Sequence, residues 1–86
     1  MRIEVVRSGG FAGIPRRATL ETAGHPDAAR IEAAAHAVLA SAAPHPPVPD
    51  GFVYDLTIDG RHIRCADPAL TPAQRTVITT VLDEGA

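Results

Sequence analysis

The sequence lacks lysine and tryptophan, and Cys65 is the one cysteine among its 86 residues. A single cysteine excludes an intramolecular disulfide framework. All eight basic residues are arginines, scattered along a chain whose formal net charge is −2. Nucleic-acid-binding proteins usually carry a basic face with stacking aromatic side chains, whereas the aromatic residues here are only Phe11, Phe52 and Tyr54. We therefore expect no nucleic-acid partner.

Long apolar runs are also missing. Residues 1–7 meet a charge after at most two apolar residues, and neither a signal peptide nor a membrane span can be drawn anywhere in the chain. We therefore expect a cytoplasmic protein with no membrane partner. The length predicts a single domain, 1–86, with a thin core, because a chain of this size buries only about 60–65% of the surface that it exposes when unfolded.

The order of the segments predicts the fold class. Residues 2–8, 17–22, 52–58 and 61–66 are short and rich in β-forming residues, and helical patterns lie between and after the two pairs. This order, β-β-α-β-β-α, is typical of an α+β fold. We expect a four-stranded antiparallel sheet with two helices packed on one face.

The second hairpin is the segment whose pairing is most fully predicted. Asp59-Gly60 is typical of a two-residue type I′ turn, in which both central residues need positive φ. That turn fixes the strand register: the predicted pairs are Leu56 with Ile63, Tyr54 with Cys65, Asp55 with Arg64, and Thr57 with His62. The first two pairs form an apolar face and the last two a polar face, as expected of a correct register.

Both helices have identifiable ends. The first is predicted from about Pro26 to Ser41, because proline suits a first helical turn. The second begins at Thr71-Pro72-Ala73-Gln74, a capping-box arrangement, and Gly85 is expected to end it. Helical spacing predicts that each helix buries one stripe, formed by Ile31, Ala34, Ala35, Val38 and Ala42 in the first and by Ala73, Val77, Ile78, Val81 and Leu82 in the second.

The residues that carry chemistry do not form a recognised catalytic or metal motif. The four histidines, His25, His36, His45 and His62, show no ligand spacing typical of zinc sites. Cys65 falls on the predicted core face, where a thiol behaves as a small apolar group. Ser8 precedes two glycines, but a strand rather than a helix follows, so a nucleophile elbow is not predicted. We expect no enzyme activity, no metal and no cofactor.

The segment between the first two strands is unusual. It is longer than a tight hairpin needs, and it consists of Ser8, Gly9, Gly10, Phe11, Ala12, Gly13, Ile14 and Pro15. Two interpretations remain open for its large apolar side chains. Phe11 and Ile14 either fold back over the end of the core or project into the cleft of a partner protein. Glycine beside them adds chain entropy without helping packing, which favours projection.

The string Arg7-Ser8-Gly9-Gly10-Phe11-Ala12-Gly13-Ile14 resembles the signature of the emfourins, small bacterial protein inhibitors of thermolysin-like metallopeptidases such as protealysin. The element order and the length are also similar to that family. The resemblance implies an inhibitor whose partner is a thermolysin-like zinc peptidase, with the zinc belonging to the target. Such enzymes favour a bulky apolar residue just after the scissile bond, which Phe11 or Ile14 offers.

A second segment is a candidate for a secondary contact with the target. Residues 43–51 hold four of the eight prolines, and proline forces its predecessor toward an extended conformation. We interpret the segment as a stiff connector, in which His45, Pro46 and Pro47 are the candidate contact residues.

Three alternatives to the inhibitor stay open. A generic protein–protein interaction module would bind another partner through the same loop. A small enzyme or cofactor-binding domain would need Ser8, Cys65 and a histidine in one polar cluster. A structural half of an oligomer would use the free face or an edge of the sheet.

Overall fold

A computed structural model describes residues 1–9, 15–40, 52–66 and 70–86. The elements are β1 (Arg2–Gly9), β2 (Arg16–Glu21), α1 (Ala28–Ala40), β3 (Phe52–Ile58), β4 (Arg61–Ala66) and α2 (Pro72–Glu84). The predicted α+β order is confirmed, with an antiparallel sheet and two helices. No helix within these ranges is both long and apolar enough to cross a membrane.

The sheet has the strand order β2-β1-β3-β4, which the sequence left open. Ile3 pairs with Leu20 of β2 on one side and with Ile58 of β3 on the other. The strand that precedes the glycine-rich segment is therefore an inner strand, hydrogen-bonded along both edges. The β1–β3 pairing runs from Ile3 opposite Ile58 to Gly9 opposite Phe52, so β3 supports β1 up to its last residue.

The second hairpin confirms the predicted turn and register. Asp59 and Gly60 both have positive φ, 47° and 84°, and the four predicted pairs between β3 and β4 are present. The turn is also tied to β1, because the Asp59 amide donates to the Arg2 carbonyl at 3.0 Å and the Arg2 amide donates to the Asp59 carboxylate at 2.8 Å.

The core lies between the sheet and the two helices. Most residues of the predicted stripes are buried, while Ala34 and Ala73 are only partly so, and Ala42 lies outside the described residues. Three buried polar residues were not predicted: Thr22, Gln74 and Thr80. Thr22 Oγ1 contacts both the Met1 carbonyl and the Glu32 carboxylate, so a side-chain network closes the junction between β2 and α1.

The first helix begins two residues later than the approximate prediction. The helix begins at Ala28 rather than Pro26, because His25 organises a turn before it. Its Nδ1 accepts a hydrogen bond from the Asp27 amide at 3.0 Å, and its carbonyl accepts from the Ala28 amide at 3.1 Å. The His25 Nε2 atom lies 3.0 Å from the Glu84 carboxylate at the end of α2, so this ring joins the two helices. Residue 41, the predicted end of α1, lies outside the described residues.

The ends of α2 follow the sequence prediction, one of them for a different reason. The Thr71 hydroxyl accepts from the Gln74 amide at 3.1 Å, and the Gln74 side chain accepts from the Thr71 amide at 2.9 Å, which is the predicted capping box. Gly85 ends the helix with φ −75°, a conformation open to any residue. What requires glycine is space, because a Cβ there would lie 2.9 Å from the Thr19 carbonyl oxygen.

Candidate functional site

The candidate loop begins within the sheet. Ser8 and Gly9 are the last residues of β1, where they pair with Val53 and Phe52, so the strand runs one residue further than predicted. Gly9 has φ 93°, a value that favours glycine. Pro15 is exposed, directly before the first residue of β2. The other predicted loop residues, 10–14, lie outside the described residues.

Three connecting segments join the sheet at the end where β1 finishes. β1 ends there at Gly9, β3 begins there at Phe52, and β4 ends there at Ala66, because Gly9 pairs with Phe52 and Val53 pairs with Ala66. The segments 10–14, 41–51 and 67–69 therefore all join the sheet at one end. The predicted secondary contact, 45–47, belongs to the second of these segments and lies outside the described residues.

Arg7, Phe52 and Tyr54 form a cluster beside the last residues of β1. The Arg7 guanidinium carbon is 4.8 Å from the centre of the Phe52 ring, within the range of a cation–π interaction. The Phe52 and Tyr54 rings are 6.5 Å apart with an interplanar angle of 52°, a tilted arrangement that aromatic pairs favour. Tyr54 is buried in the core. The cluster therefore connects the end of β1 to the core through β3.

The other end of the loop is attached to α2. Arg16, the first residue of β2, donates a hydrogen bond from its guanidinium to the Leu82 carbonyl at 2.6 Å. Leu82 lies in the last turn of the helix, whose carbonyls have no partner within the helix. A guanidinium is well suited to this place, because the C-terminal end of a helix carries a partial negative charge.

The helix-free face of the sheet carries a charged group on β3 and β4. The Asp55 carboxylate lies 2.9 Å from His62 Nε2 and accepts from Arg64 Nε at 3.0 Å. Partial burial acts to raise the pKa of Asp55, but the two hydrogen bonds and the neighbouring positive charge outweigh it and hold the pKa below its usual value. The contacts with His62 and Arg64 therefore favour the ionised form of Asp55.

The residues that an enzyme would need are not brought together. Cys65 is 1% exposed on the helix side of β4, whereas Ser8 and His62 lie on the other face. Ser8 pairs with Val53 and His62 with Thr57, which puts them four residues apart along β3, or roughly 13 Å. Burial raises the pKa of the Cys65 thiol to about 11, with a smaller contribution from Asp55. Across the described ranges, no group of three or more His, Cys, Asp or Glu side chains is placed to hold a metal ion.

Sequence reasoning missed Arg7 and Arg16 as members of this site. Arg7 begins the eight-residue string that resembles the family signature, and Arg16 follows the glycine-rich segment, but neither position indicates which residue the side chain contacts. Their partners, Phe52 and Leu82, are 45 and 66 residues away along the chain. Contacts over such distances follow from strand order and helix placement, which the sequence pattern left open.

The described residues place the glycine-rich segment between β1, an inner strand, and β2. The Emfourin family model matches residues 5–82, from the middle of β1 to the last turn of α2. The chain therefore belongs to the emfourin family, which is a family of metallopeptidase inhibitors. No curated protein and no solved structure matches the chain.

Proposed function

We propose that the chain acts as one inhibitor-like domain, 1–86, that blocks thermolysin-like zinc metallopeptidases in the cytoplasm. The observation that carries this proposal is the match to a family of metallopeptidase inhibitors over residues 5–82. That range includes both the glycine-rich segment of residues 8–15 and Arg7, which precedes it in the eight-residue resemblance. The partner is thus a protein, and the zinc ion belongs to that partner.

The proposed contact with the target is the loop of residues 8–15. Its first two residues belong to β1, which is paired with β2 up to Arg7 and with β3 up to Gly9. The pairing with β3 holds the first residues of the loop, and such support lowers the entropy lost when the loop is ordered on a partner. In this mechanism the loop lies across the active-site cleft and excludes substrate.

Phe11 and Ile14 are the proposed anchors. Hot spots of protein interfaces are few, and large apolar side chains that enter a pocket contribute most of the binding energy. Glycines on either side allow the backbone to approach the target closely. Residues 45–47 are the proposed secondary contact, since their segment joins the sheet at the same end as the loop.

Titration of thermolysin with the purified protein tests the function. We expect stoichiometric loss of peptidase activity while the added chain stays intact. Full activity in the presence of excess protein, or steady digestion of the chain, would contradict the proposal. In that case a protein–protein interaction module with a different partner would be the better description.

A double variant tests the mechanism. Phe11→Ala with Ile14→Ala is expected to weaken inhibition by about 2 kcal/mol or more, which is roughly a 30-fold rise in the inhibition constant. His36→Ala, on the exposed surface of α1, is the control and is expected to inhibit like the wild type. A folded double variant with unchanged inhibition would exclude the loop mechanism but not the function.

A further inference from the structure

His25 joins the turn before α1 to the end of α2, and both nitrogen atoms of its ring take part. Nδ1 accepts a hydrogen bond from the Asp27 amide at 3.0 Å, and Nε2 lies 3.0 Å from the Glu84 carboxylate. A neutral imidazole has one donor and one acceptor nitrogen. Because Nδ1 accepts, the proton of the neutral ring lies on Nε2, which donates it to Glu84.

A second proton on this ring is incompatible with one of the two contacts. Both nitrogens of an imidazolium ion are donors, so the new Nδ1–H would face the Asp27 N–H across 3.0 Å. The side chain is only 15% exposed, so water has little access to the new donor. The contact of Nε2 with Glu84 stays possible and becomes a charged hydrogen bond, which is the stronger kind.

The charges around the ring favour opposite protonation states. On the side of α2, the Glu84 carboxylate and the partial negative charge of the C-terminal helix end favour the cation. On the side of α1, the helix start carries a partial positive charge. The Asp27 carboxylate is paired with Arg30 at 3.4 Å, and Glu32 contacts the Thr22 hydroxyl. A charged ring is therefore attracted to α2 rather than to α1.

The two helix ends differ in how much they depend on His25. The end of α2 is also held by β2, because Thr19 and Ala86 exchange two backbone hydrogen bonds of 3.0 Å. The start of α1 depends on the residue that titrates, since the Ala28 amide donates to the His25 carbonyl at 3.1 Å. A movement of His25 therefore affects the first turn of α1 before it affects α2.

We propose that His25, Asp27 and Glu84 form a pH-sensitive clasp, in which proton uptake by the ring breaks its contact with Asp27 and opens the first turn of α1. The proton comes from solvent and adds to Nδ1, while the ring stays on Glu84. Histidine is the side chain whose charge ordinarily changes between pH 5 and pH 8, so the clasp responds within that range. The inference does not depend on the proposed function, because these three residues lie outside 8–15 and 45–47.

The experiment uses NMR on the isotope-labelled protein at pH 8 and pH 5. Long-range proton–nitrogen correlations identify which ring nitrogen of His25 carries the proton. The exchange of the Asp27 amide with water is measured in the same samples. The Gln74 amide, which donates to the Thr71 hydroxyl at the start of α2, serves as the internal reference. His25→Gln removes the titrating ring, and His36→Gln, on the exposed surface of α1, is the matched control.

At pH 8 we expect the proton of His25 on Nε2. At pH 5 we expect the Asp27 amide to exchange roughly threefold to tenfold faster, after correction for the intrinsic effect of pH, which is the range that the loss of one hydrogen bond gives. The Gln74 amide should not change. His36→Gln should behave like the wild type, whereas His25→Gln should show the same corrected exchange of Asp27 at both pH values.

Three results would overturn the inference. The first is a proton on Nδ1 at pH 8, which would contradict the arrangement of donors around the ring. The second is an Asp27 amide whose corrected exchange is the same at both pH values, or whose pH dependence persists in His25→Gln. The third is equal acceleration at Asp27 and Gln74, which would indicate a general loss of stability rather than a local opening.

Discussion

The change in stability caused by Gly85→Ala shows whether chain entropy or steric overlap dominates at this position. With φ −75° and ψ 167°, this residue adopts a conformation that alanine also adopts, and Gly→Ala at such a site ordinarily stabilises a protein by about 0.4–1 kcal/mol through the unfolded chain. The surroundings predict the opposite. A Cβ at residue 85 would lie 2.5 Å from the Val81 oxygen and 2.9 Å from the Thr19 oxygen, both of them backbone atoms.

The free energy lost in Gly85→Ala is at most that of the contacts whose breaking would relieve the overlap. Gly85→Ala can relieve the overlap by detaching residues 85 and 86 from β2 and from the end of α2. That movement breaks the two bonds between Thr19 and Ala86, both 3.0 Å, and the 2.7 Å bond from the Gly85 amide to Val81. At about 0.5–1.5 kcal/mol for each bond, and with these groups near solvent, we expect a loss of about 2 kcal/mol.

Urea unfolding followed by circular dichroism measures this change. The unfolding midpoint should fall while the slope m stays constant, as for a change in stability alone. Ala86→Pro is the matched variant, because it removes the donor to the Thr19 carbonyl and leaves residue 85 a glycine, and it should cost about 1 kcal/mol or somewhat more. A Gly85→Ala protein as stable as the wild type, or more so, would refute the steric argument.

Two further predictions concern single side chains. Asp55→Asn should lower stability at pH 7 by no more than about 1 kcal/mol, since the partners of Asp55 are largely exposed. Because the pKa of Asp55 is lowered in the folded protein, the difference in stability between wild type and variant should shrink as the pH falls below about 4. An equal difference between their urea midpoints at pH 7 and at pH 3 would contradict this. Cys65, buried and with a pKa of about 11, should react with iodoacetamide at pH 8 only as fast as the protein opens, so rapid labelling of the native protein would contradict its placement.

Local signals predicted most of the fold. The Asp59-Gly60 turn fixes the β3–β4 register because a type I′ turn leaves no freedom in the pairing of the flanking strands. The capping box at Thr71 and Gln74 is equally local, since its two hydrogen bonds join residues three positions apart. In both cases the residues that determine the structure are adjacent in the chain, so the sequence alone contains the information.

The parts that could not be predicted depend on contacts between distant segments. The contact of His25 with Glu84 joins residues that are 59 positions apart in the chain, so no local pattern predicts it. Gly85 was predicted to end α2, but its close approach to Thr19 depends on how the helix lies against β2. The candidate site also combines local and distant features. The glycine-rich segment can be recognised in the sequence as a motif, whereas the contacts of Arg7 and Arg16 form only in the folded chain.

The central position of β1 also bears on how the protein folds. Its pairing with β3 joins Ile3 to Ile58, so the strand that carries the loop receives its second neighbour only after most of the chain has been synthesised. Such non-local contacts slow folding, because the entropy of closing a long loop is lost before the contacts form. We expect the pairing of β1 with β3 to form late, after the β3–β4 hairpin has formed through its own two-residue turn.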